Sequence, residues 1–170
     1  MTIAANSSIV EFMTGIATML DDVHGDQKMN RRFVSLERLL LECGREFPLA
    51  PMPDELKRFM GKKGHCYMNA TQLALSGFEA IYCEGYAVCK GLPIPLRHGF
   101  CITPSGEVID PTWKDGTEYF GIPISKRFLF ETMKRREVFG ILDDWESDYP
   151  VLSLDPATWI HPAFQPIKQP

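Results

Sequence analysis

Gly64-His65-Cys66-Tyr67-Met68-Asn69-Ala70-Thr71-Gln72-Leu73-Ala74-Leu75-Ser76-Gly77 decides the fold. Two glycines bracket a segment that carries Ala70, Leu73 and Ala74 at helical spacing, which predicts a helix from Cys66 to Ser76 stopped by Gly77. Three strands should follow: 80–89, 97–103 and 107–111, the last two joined by Pro104-Ser105-Gly106.

Upstream, Ser8-Ile9-Val10-Glu11 has the Ser-x-x-Glu pattern of a capping box. Ile9, Phe12, Met13, Ile16, Leu20 and Val23 then recur on one helical face until His24-Gly25. A second helix is expected from about Asn30 to Cys43, with Phe33, Leu36, Leu40 and Cys43 inward and Gly44 as its stop. Pro48, Pro51 and Pro53 make the next stretch irregular, before a short helix over 54–60. Downstream, Ser125 should cap a helix to about Glu137, and Lys134, Arg135 and Arg136 read as a solvated face. The tail from Tyr149 holds five of the thirteen prolines and should wrap irregularly on the surface.

Helices followed by strands indicate an α+β architecture with an antiparallel sheet. The expected single domain comprises a helical N-terminal layer (1–60), a catalytic core (61–124), a C-terminal helix (125–148) and a Pro-rich tail (149–170). A length of 170 residues suits one hydrophobic core. There is no internal repeat, Gly-rich phosphate loop or dinucleotide-binding fingerprint.

A net charge of −4 gives no global attraction to nucleic acid or to an anionic membrane. No apolar run approaches the ~20 residues that span a bilayer. The N-terminus, 1–10, lacks the pattern of a secretory signal, so a cytoplasmic location is the default expectation. Five cysteines, an odd number, argue against a disulfide framework in that compartment.

Most free cysteines are inert buried hydrophobes, and Cys66 stands apart by position. At the first turn of a helix, unpaired N–H groups and a partial positive charge favour an anionic sulfur, the nucleophilic form. The same N–H groups can hold an oxyanion. His98, in Arg97-His98-Gly99-Phe100, is the candidate base, and Asp110, in Val108-Ile109-Asp110-Pro111-Thr112-Trp113, is the candidate that orients it.

Turn chemistry makes this geometric. A three-residue loop over Pro104-Ser105-Gly106 pairs Thr103 with Glu107 and needs Gly106 in the left-handed conformation. Phe100 then lies opposite Asp110, and His98 and Asp110 become diagonal neighbours on one face. A two-residue loop would send them to opposite faces.

Two blander readings compete. Asp110-Pro111 can simply end a strand and begin a turn. Cys83, Cys89, His98 and Cys101 could instead bind zinc, although their spacing is unusual and alternating strand residues point apart. Glu84 faces either the cleft or solvent.

Taken together, Cys66 heading a helix, the run 73–80, Glu84-Gly85-Tyr86, His98-Gly99-Phe100 and 109–113 resemble the transglutaminase-like, papain-related superfamily of cysteine enzymes. Tyr119-Phe120-Gly121-Ile122-Pro123 resembles small phage and bacterial members. The resemblance implies a nucleophile-bearing helix packed on an antiparallel sheet and a Cys66, His98, Asp110 triad, with no metal and no organic cofactor. It implies acyl transfer from a protein, peptide or other amide substrate, to water or to an amine. A non-catalytic binding or inhibitory role on the same fold is the alternative class. Many members have Ala-Trp where this chain has Gly99-Phe100. Papain-like relatives place a glutamine a few residues before the cysteine, where this chain has Met60-Gly61-Lys62. That leaves His65, Asn69 and Tyr82 as candidates for the second oxyanion donor.

Overall fold

The structure is a computed structural model that describes residues 7–24, 31–137 and 139–165. The expected helix stop at Gly25, the expected helix start at Asn30, the first six residues and the last five of the tail lie outside these residues. The fold is α+β. Helices α1 (Ser8–His24) and α2 (Leu36–Cys43) precede α3 (Cys66–Leu75), and α4 (Lys126–Arg136) follows the strands. Five strands, β1 (Arg45–Glu46), β2 (Ile81–Cys89), β3 (Leu92–Ile102), β4 (Val108–Ile109) and β5 (Gly116–Pro123), form one antiparallel sheet in the order β1-β5-β2-β3-β4.

Alternation along the strands builds two cores. On one face Tyr82, Tyr86, Cys101, Phe120 and Ile122 pack with the helices through Met13, Leu39, Leu40, Leu73 and Leu129. On the other face Cys83, Phe100, Ile102, Val108 and Tyr119 pack with Phe47 and Phe164. The second layer is the thinner one, and His98 and Asp110 belong to it by strand parity.

The hairpin adopts the expected register. The Thr103 N–H donates to Glu107 O at 2.8 Å, Cys101 pairs with Ile109, and Gly106 sits at φ +90°. Gly64 (φ +82°) and Gly77 (φ +94°) bracket α3 as read.

Other expectations are corrected. The start of α1 is capped from outside: the Ser8 N–H, Ser8 Oγ and Ser7 Oγ all donate to Glu118 Oε2, at 3.1, 2.8 and 3.1 Å. A β5 carboxylate thus does the work assigned to Glu11 and ties the helix to the sheet. Ile9, Met13 and Ala17 are buried, whereas Phe12 and Val23 are exposed. Helix α2 starts at Leu36, because Ser35 Oγ accepts the Arg38 N–H and the Phe33 N–H is spent on Leu152 O.

The N-terminal segment is not purely helical, since it supplies β1. β3 begins at Leu92 rather than at Arg97. Pro93 and Pro95 are tolerated because β3 has only β2 beside it there, with a register shift between Ala87 and Cys89. The tail is no surface wrapping: Val151, Leu152, Trp159 and Ile160 are buried, and Ile160 bridges Ile124. Arg136 is not on a solvated face but pairs with the buried Asp144. Among the described residues, no helix is long and apolar enough to cross a membrane.

Candidate active site

Cys66 is the first residue of α3, half-buried, and no side chain caps that helix start. The first-turn N–H groups therefore have no partner within the helix. His98 lies on β3 with its side chain on the face opposite α3. The two meet because β4 pairs only with Cys101 and Ile102. Beyond that point β3 has no β4 partner, and the start of α3 packs on it at Gly99.

Gly99 makes the approach possible. A Cβ there would lie 2.7 Å from Tyr67 Cδ1 and 3.0 Å from Tyr67 Cα. We expect Gly99→Val to force α3 off β3 and to lower Cys66 reactivity about 100-fold, the scale of a ~1 Å misplacement. Alkylation kinetics on a variant shown by circular dichroism to be folded will measure this.

His98 is only 1% exposed, and its Nε2 is 2.8 Å from Asp110 Oδ2. Its other ring nitrogen is left for the Cys66 sulfur, which is near enough to help raise the ring's pKa. Burial works against the charged ring, but the hydrogen bond to Asp110 and the nearby Cys66 outweigh it and raise the His98 pKa from 6.5 to about 9. The imidazolium therefore persists through neutral pH.

Asp110 has the role of a strand end as well as that of an orienter. Its Oδ1 accepts the N–H groups of Thr112 and Trp113 at 2.7 and 3.0 Å, which turns the chain. Its Oδ2 takes His98 and the Tyr119 hydroxyl, the latter at 2.6 Å. Four donors hold this carboxylate.

Trp113 stacks on the His98 ring, with centroids 4.0 Å apart and planes at 22°. It also forms one wall of a cleft of about 820 Å³, which Asp110, Leu49, Met52, Met60 and Tyr119 line but Cys66 and His98 do not. Residues from the N-terminal segment thus shape this cleft.

Two proposed oxyanion donors are committed elsewhere. The Asn69 amide donates to Lys62 O at 3.0 Å and to Thr112 Oγ1 at 2.9 Å. It packs so closely on the loop before Cys66 that a Cβ at Gly61 would fall 2.1 Å from Asn69 Oδ1. The Tyr82 hydroxyl donates to Glu84 at 2.7 Å. His65 is exposed, with Nδ1 at 3.3 Å from Lys63 O. The backbone N–H groups at the α3 start, which no side chain caps, are the remaining candidates for that role.

Glu84 faces neither cleft nor solvent. It is buried, and it accepts the N–H groups of Ile141, Leu142 and Asp143 as well as the Tyr82 hydroxyl. Burial raises its pKa to about 7 against those hydrogen bonds.

The zinc set is dispersed, with Cys83 and Cys101 on opposite faces of the sheet. Burial raises the pKa of Cys43 to about 11 and pushes Cys83 and Cys101 up as well, so these three behave as apolar fillers. No family model matches the chain, and no curated protein or solved structure matches it either.

Proposed function

We propose that the chain is a cysteine-dependent acyl-transfer enzyme with Cys66 as nucleophile, His98 as proton carrier and Asp110 as orienter. The observation that carries this reading is the buried His98–Asp110 hydrogen bond, 2.8 Å, on a ring that Cys66 at the α3 start lies close enough to influence. The order Cys, His, Asp and the resemblance to transglutaminase-like enzymes support it.

The Cys66 thiolate attacks an amide carbonyl carbon, and the oxyanion forms against the first-turn N–H groups of α3. The His98 imidazolium gives its proton to the departing amine nitrogen, the C–N bond breaks, and a Cys66 thioester remains. His98, now neutral, takes a proton from water. The hydroxide adds to the thioester, and the C–S bond breaks to release a carboxylic acid and restore the thiolate–imidazolium pair. Hydrolysis of a peptide or other amide is the favoured outcome, since water always reaches a half-exposed sulfur; an amine in place of water gives a transferase.

Limited iodoacetamide and peptide mapping test the assignment. Cys66 should be alkylated first, well ahead of Cys89, the other half-buried thiol. Equal rates at Cys66 and Cys89 would overturn it. Adding a primary amine during turnover distinguishes transfer from hydrolysis by the mass of the product.

A further inference from the structure

One neighbour of Cys66 and one neighbour of His98 end on the same carboxylate. Tyr67 follows Cys66 on α3, and its hydroxyl donates to Asp143 Oδ2 at 2.9 Å. Arg97 precedes His98 on β3, and its Nη1 donates to Asp143 Oδ1 at 2.5 Å. Asp143 belongs to neither element but to the segment after α4. We infer that Asp143 is a positioning residue, a clasp that holds the start of α3 against β3 and so sets the approach of Cys66 to His98. This rests on the triad reading above.

The clasp is itself held. The buried Glu84 carboxylate on β2 accepts the N–H groups of Leu142 at 2.8 Å and Asp143 at 3.3 Å. Arg97 is further held by Glu37 Oε1 of α2, through Nη2, and by the Tyr149 hydroxyl, through Nη1, each at 3.2 Å. Tyr67 is a stiff lever, since its ring lies between Gly99 and Gly140, with a Cβ at Gly140 only 3.6 Å from Cδ2. Burial and the nearby Glu84 and Asp143 charges push its pKa up, so the hydroxyl stays a donor. A movement of Asp143 is therefore transmitted to the residue beside Cys66 and, through Arg97, to the residue beside His98.

Asparagine at 143 keeps the shape but has one acceptor oxygen for two donors, and its NH2 faces either Arg97 or Tyr67. The test is the rate of Cys66 alkylation by iodoacetamide in the full chain, from pH 5 to pH 10, for wild type, Asp143→Asn and Tyr67→Phe. At pH 6 a reactive sulfur depends on its imidazolium partner. At pH 10 an accessible thiol is ionised without help. The expected result is a fall of about tenfold at pH 6 in each variant, with the rate at pH 10 and the melting temperature nearly unchanged. The double variant should be no slower than the slower single one, because both cut the same tie. Rates at pH 6 equal to wild type, or a uniform fall at every pH, would overturn the clasp while leaving the triad intact. A wild-type profile in which Cys66 reacts at pH 6 no faster than a free thiol would instead overturn the triad reading, and the clasp with it.

Discussion

Cys66→Ala should reduce amide turnover to background, a loss of about 10⁴-fold or more, with the fold preserved. The rate falls because no other described thiol can substitute. Cys43, Cys83 and Cys101 are buried, and Cys89 sits at the end of β2. The fold survives because the change removes one half-exposed sulfur at the first turn of a helix, where alanine is a good helix former. His98 stays fixed by Asp110 and by stacking on Trp113. Stability should change by no more than about 1 kcal/mol, as for most substitutions away from a packed core. Steady-state hydrolysis beside urea unfolding measures both quantities. Turnover equal to wild type would remove the mechanism.

The elements that could be read from the sequence are those governed by local chemistry. Helix α3 was legible because Gly64 and Gly77 both take positive φ, which few other residues tolerate. The hairpin was legible because Pro104 and Gly106 select one loop length, and loop length sets register. β5 was not legible. Tyr119 and Phe120 face opposite cores, so a strand covered on both sides shows no alternation, and Gly116, Gly121 and Pro123 read as breakers. The tail misled for a related reason. Its prolines do signal irregular chain, yet Trp159 and Ile160 are buried between short 3₁₀ turns, where no period can reveal them.

The same division runs through the site. Cys66, His98 and Asp110 stand in segments with their own turn and cap signals, and the structure brings all three together. Trp113 lies three residues after Asp110, close enough that its stacking on His98 had a local signal. Tyr119 was out of reach once β5 was missed. Glu84 and Asp143 depend on a segment packed from far along the chain, and such contacts leave no trace in spacing. Asn69 and Tyr82 illustrate the converse. Both are suitable donors by type, and only the structure reveals that their hydrogens are already spent.

Asp110→Asn should lower kcat/KM by about 10²–10⁴-fold yet leave weak activity, and it should also move the basic limb of the pH profile. The asparagine oxygen can still accept the Thr112 and Trp113 N–H groups, so the turn holds. Its NH2 group then faces His98 Nε2 and the Tyr119 hydroxyl, where the wild type has an acceptor. The ring now accepts at Nε2 and keeps its proton on the side of Cys66, the tautomer that cannot take one from a nucleophile. In the wild type, activity should fall as pH rises through about 9, where the imidazolium is lost. The Asp110 bond is a main reason that value stands above 6.5, so in the variant the limb moves down towards neutrality. Stability follows the same sign. A folded pKa above the unfolded one means that the charged ring's contribution is complete below about pH 6.5 and is lost as pH rises through about 9. Asp110→Asn should therefore flatten the pH dependence of unfolding across that window while lowering stability at pH 6. Urea denaturation at pH 6 and pH 9 will show it, and an unchanged slope together with an unmoved kinetic limb would mean that another group orients His98.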